Sequence, residues 1–137
     1  MAAAQKILVV DDDSFILKIL ETSLNNHPDY EPVTARDGIE ALEKAQNDKF
    51  DLIITDVIMP GKDGIQFIEE LRKVDKETPV IVITGGNEGE DSDIDQFFNF
   101  ACYFSNDTLK KPFTQDELYQ AMGLALNNRD VDLLNFL

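Results

Sequence analysis

Three features of the 137-residue chain predict an α/β fold, a doubly wound parallel sheet. Short apolar runs rich in β-branched residues recur along it. Segments of helical periodicity separate these runs, and no repeat or Pro- or Ser-rich linker offers a place to divide the chain. Uninterrupted apolar runs, as opposed to alternating ones, suit strands covered on both faces, and such strands belong to parallel sheets. Strands alternating with helices then imply right-handed βαβ units.

The first strand is Ile7-Leu8-Val9-Val10. Ser14 then caps a helix carrying Ile16, Ile19, Leu20 and Leu24, ended by Asn25-Asn26-His27-Pro28. Tyr30 to Ala35 forms a weaker strand, and Asp37-Gly38 precedes a helix with Ile39, Leu42 and Ala45. The third strand is Leu52-Ile53-Ile54-Thr55, followed by a helix from Gly64 to Val74 that stops before Thr78-Pro79. After the fourth strand, Val80-Ile81-Val82-Ile83, a helix is expected from the acidic stretch through Phe97, Phe98 and Ala101. A short strand before Lys111 follows. Thr114 caps a last helix, with Leu118, Ala121, Met122 and Ala125 at i, i+3, i+4 and i+7. The elements number five strands and five helices.

Twelve basic against 27 acidic residues leave a net charge of −15. A surface so acidic repels phosphate backbones and anionic lipid, which argues against direct nucleic-acid or membrane binding. It suits a basic partner or a cation. The single cysteine, Cys102, excludes an intrachain disulfide and reads as a small buried apolar residue. With no signal-peptide pattern and no run near the ~18 apolar residues of a membrane span, the expected compartment is the cytoplasm.

Ligands of doubly wound sheets bind outside the carboxyl ends of the strands. Asp11, Asp12 and Asp13 follow the first strand, Asp56 the third, Thr84-Gly85-Gly86 the fourth and Lys111-Pro112 the fifth. Carboxylates crowded into one crevice repel one another and raise each other's proton affinity unless a cation sits among them. Oxygen-only donors with room for water favour Mg²⁺. A carboxylate in such a place can attack phosphorus to form an acyl phosphate, while Thr84 and Lys111 supply a hydrogen bond and a positive charge for the phosphoryl oxygens.

The residues Ile7-Leu8-Val9-Val10-Asp11-Asp12-Asp13, Asp51-Leu52-Ile53-Ile54-Thr55-Asp56, Met59-Pro60-Gly61-Lys62-Asp63-Gly64, Pro79-Val80-Ile81-Val82-Ile83-Thr84 and Lys111-Pro112-Phe113 together resemble the receiver domain of two-component response regulators. The resemblance implies a flavodoxin-like sheet of order 2-1-3-4-5 and one receiver domain over residues 1–137. Its core is expected at about 5–126, with a tail at 127–137 and no output domain. It implies that Asp11 and Asp12 bind the metal, that Asp56 accepts the phosphoryl group and also binds Mg²⁺, and that Ile58 adds a backbone carbonyl to the metal shell. Thr84 matches the switch hydroxyl, Lys111 the phosphate-contacting lysine, and the Lys111–Pro112 bond is expected to be cis. The implied partners are a sensor histidine kinase or histidine phosphotransfer protein and a downstream protein target, with the chain a monomer or weak homodimer. No turnover of an external substrate is expected.

Two departures bear on the readout surface. Thr108 stands where receivers carry Tyr or Phe, and the stretch from Thr84 to Lys111 is several residues longer than usual. They support an alternative, a receiver-like scaffold that signals by binding without phosphorylation. A third reading, a phosphohydrolase of the aspartyl-phosphate type, needs an acid two residues after the nucleophile, where Ile58 stands. Asp13 and Asp63 read as solvated loop tips, and His27 as a turn residue. The acidic run Glu88–Asp95 is no EF-hand, since Gln96 and Cys102 occupy the places that need Gly and Glu.

Overall fold

The computed structural model describes residues 4–56, 64–84 and 107–135. In chain order these form β1 (Gln5–Val10), α1 (Ser14–Asn25), β2 (Tyr30–Ala35), α2 (Gly38–Asn47), β3 (Leu52–Asp56), α3 (Gly64–Val74), β4 (Val80–Thr84), β5 (Asp107–Lys110) and α4 (Gln115–Asn135). The helix expected through Phe97, Phe98 and Ala101 lies outside the described residues, as does Cys102.

All four strand pairings are parallel and the order is β2-β1-β3-β4-β5, as expected. The chain's β-branched runs explain why: Ile7 to Val10, Leu52 to Ile54 and Val80 to Ile83 are buried throughout. Their side chains alternate between two cores. On one face Leu8, Val10, Ile53, Val80 and Val82 pack against Phe67, Ile68 and Leu71 of α3 and Ala41 of α2. On the other, Ile7, Val9, Leu52, Ile54, Ile81 and Ile83 meet Leu17, Leu20 and Leu24 of α1 and Leu118, Met122 and Ala125 of α4.

The edge strand β2 is protected against further pairing. Gln5 N–H donates to Asp29 O and Asp11 N–H to Ala35 O, so Tyr30, Pro32 and Thr34 turn their backbone groups outward. Pro32 offers no N–H, the Tyr30 N–H goes to His27 O, and Lys44 Nζ takes the Thr34 carbonyl. Open strand edges invite association, and these three features blunt this one. His27 is a turn residue, as expected: its Nδ1 accepts from Asp29 N–H and its ring stacks on Tyr30.

One local expectation is corrected. Asp13, read as a solvated loop tip, is the N-cap of α1 in place of Ser14, accepting from Phe15 N–H and Ile16 N–H. The last helix runs on through most of the expected tail, to Asn135, and neither Gly nor Pro interrupts the chain there. Among the described residues no helix is long and apolar enough to cross a membrane.

Candidate functional site

β1 and β3 are neighbours, paired through Val10 and Thr55, so the residues that follow in each chain, Asp11 and Asp56, leave the sheet side by side. Asp11 is fully buried. Its N–H donates to Ala35 O, and its Oδ1 accepts from Asp13 N–H at 2.9 Å. The cap at Asp13 thus serves the site as well, because it ties the turn that holds the Asp11 carboxylate to the first turn of α1. Asp12 is exposed on the rim.

Lys111 reaches these acids from the far side of β4. It follows β5, two strands away from β3, and its Nζ donates to Asp11 Oδ2 at 3.1 Å and to Asp56 Oδ2 at 3.2 Å. Asp56 is 9% exposed and Lys111 half-buried, which strengthens both contacts relative to a surface pair. The Lys111–Pro112 bond is cis. Thr84 ends β4, with its backbone paired to Lys110 and one residue beyond the Ile83–Asp56 pair. Its side chain, Ile58, Asp63, Gly85 and Gly86 lie outside the described residues.

Burial raises the Asp11 carboxyl from 3.8 to about 6, the Asp13 N–H works against that rise, and the charge of Asp56 adds to it. The charge of Asp56 therefore raises the Asp11 carboxyl less than burial does. Burial also opposes the charge on Lys111, yet Asp56 and Asp11 outweigh it and hold the ammonium above its ordinary value.

One oxygen from each of Asp11, Asp12 and Asp56 lies within 4.8 Å of the others. Three ionised carboxylates and one ammonium leave a formal charge of −2, which a divalent cation balances. The donors are all hard oxygens, and the set fits Mg²⁺ better than a softer metal.

The description that fits this chain among known families is the response regulator receiver domain, matched over residues 7–123. The chain belongs to that family. Curated relatives of the receiver domain include the alkaline phosphatase synthesis transcriptional regulatory protein PhoP of Bacillus subtilis, 33% identical over 93% of this chain and 50% of its own length. The transcription factor SKN7 of Chaetomium thermophilum is 38% identical over 82% of this chain and 14% of its own. The chain thus spans half or less of these two relatives. Among solved structures, the Vibrio cholerae chemotaxis protein CheY4 superposes with a TM-score of 0.77 at 32% identity, covering 90% of this chain and 100% of that one. A CheY-like receiver domain from Methanospirillum hungatei gives 0.81 at 25% identity, over 95% and 99%. Receiver domains of response regulators act as phosphorylation-dependent switches in two-component signalling, generally with Mg²⁺ in an acidic pocket.

Sequence reasoning brought Asp11, Asp12, Asp56 and Lys111 to one rim, where the structure also has them. It missed the cap at Asp13 and gave Thr55 no role. The signal for Asp13 was its place one residue before the helix, which Ser14 obscured. The signal for Thr55 was a hydroxyl at the end of an otherwise aliphatic run.

Proposed function

We propose that this receiver domain takes a phosphoryl group on Asp56 from a phosphohistidine of a partner, a sensor histidine kinase or histidine phosphotransfer protein. The observation that carries the reading is Lys111 Nζ bridging Asp11 and Asp56 beside Asp12. In this reading a carboxylate oxygen of Asp56 attacks phosphorus, the P–N bond breaks, and the donor imidazole leaves with the electron pair. Asp11, Asp12 and Asp56, with the backbone carbonyl assigned to Ile58, would hold Mg²⁺, whose charge would offset that of the phosphoryl oxygens. Lys111, already against Asp56, meets a phosphoryl oxygen without moving far. Thr84, at the end of the strand next to β3, is assigned the switch hydroxyl.

A dianionic group on Asp56 then shifts a pre-existing equilibrium of the surface around β5 and the last helix, toward a downstream protein target. Moving 1:99 to 99:1 takes about 5.5 kcal/mol of differential stabilisation. The net charge of −15 argues against nucleic-acid contact by this chain and for basic partner surfaces. The chain is assigned to the cytoplasm, as a monomer or weak homodimer, and turns over no external substrate.

Incubation with a phosphohistidine-bearing phosphotransfer protein tests the reading. Label is expected on wild type and none on Asp56→Asn. Equal label on the variant would refute the assignment of Asp56.

A further inference from the structure

Thr55 is fully buried in β3 between Val10 of β1 and Val82 of β4, both also fully buried. Alternation along the strand puts its side chain on the face of Ile53, covered by α2 and α3, while Asp56 continues the face of Ile54. Thr55 therefore points away from the carboxylate it precedes in the chain. Valine has the same shape and flanks it on both sides, so packing alone does not call for a hydroxyl. A buried hydroxyl is costly unless bonded, and this one donates to the backbone carbonyl of Asp56 at 3.0 Å.

We propose that Thr55 is a positioning residue for phosphorylation: its hydroxyl, bonded to the Asp56 carbonyl, fixes the peptide group that follows the Cα bearing the phosphoacceptor side chain. A peptide group is planar, so holding its carbonyl sets one of the two backbone dihedrals of Asp56. The same plane sets the direction in which the chain leaves β3 toward position 58. Thr55 touches neither phosphate nor metal. Its effect runs through Asp56, and small displacements of a reacting group are expensive in rate.

This inference rests on Asp56 as phosphoacceptor, and the test separates the two. Thr55→Val, Thr55→Ser and wild type are labelled with a small acyl phosphate across a Mg²⁺ titration, with melting curves as the check on folding. The valine variant is expected to melt close to wild type and to label about tenfold more slowly at saturating Mg²⁺. Its half-saturating Mg²⁺ concentration should rise as well, because Asp56 and position 58 are both assigned to the metal shell, and serine should restore it together with the rate. Serine, which keeps the hydroxyl, restores the rate to within about twofold. Thr55→Ala removes the hydroxyl with less demand on space, and gives the same reading if valine does not fit. Wild-type labelling rates in both hydroxyl-free variants would overturn the role of Thr55 alone, as would a serine variant as slow as valine. No label on wild type would overturn the Asp56 reading and this one with it.

Discussion

Asp11 is the residue on which the electrostatics of the site turn. Its carboxyl titrates near 6 in the folded chain, mainly through burial, against 3.8 ordinarily. Between those values the folded state keeps a proton that the unfolded chain has lost. The folded state thus binds more protons, and stability from this group falls as pH rises through the window, the loss being complete above about 6. Asp11→Asn removes that charge while leaving an oxygen for the Asp13 N–H. In chelator, the melting temperature of Asp11→Asn relative to wild type should climb as pH goes from 4 to 7. A difference that stays flat over that range contradicts this electrostatic account. At the same scale, the acids and Lys111 were legible in the sequence because each directly follows a strand, so alternation and sheet order suffice to place them. Thr55 was not legible, because its bond goes to backbone and depends on which face of β3 it occupies.

At the scale of elements, α4 begins with a reciprocal cap. Glu117 N–H donates to Thr114 Oγ1, while Thr114 N–H and hydroxyl donate to Glu117 Oε1. Thr114→Ala should cost about 1 kcal/mol in denaturant unfolding; no change would mean that the cap contributes nothing. The first turn of α1 presents Phe15, 70% exposed, two residues after the N-cap Asp13. An exposed apolar ring beside the pocket suits docking of a protein donor. Phe15→Ala should slow transfer from a phosphotransfer protein and leave labelling by a small acyl phosphate as it was. Equal slowing of both would place the effect in the pocket. Strand positions were legible here because continuous β-branched runs admit few other readings. The length of α4 was not, since its assigned apolar positions end at Ala125 while the helix runs on to Asn135.

For the molecule as a whole, net charge and the acidic crevice make cation binding a stability question. A ligand that binds only the folded state adds RT ln(1 + [L]/Kd), roughly 1.4 kcal/mol at ten times Kd. Millimolar Mg²⁺ should raise the melting temperature of wild type by several degrees over chelator, and of Asp11→Asn by much less. The parallel sheet was legible as a whole because both of its faces are apolar, and its strand order came from the resemblance. The blunted edge at β2 was not, since it depends on which residues turn their backbone groups outward.

The most direct measurement of the central claim is the intact mass of the chain after exposure to a small acyl phosphate, with Mg²⁺ and with chelator, followed by mapping of the modified residue. The account predicts one phosphoryl group per chain, on Asp56, formed with Mg²⁺ and absent in chelator. An unchanged mass under every condition, or a phosphoryl group on another residue, would contradict it.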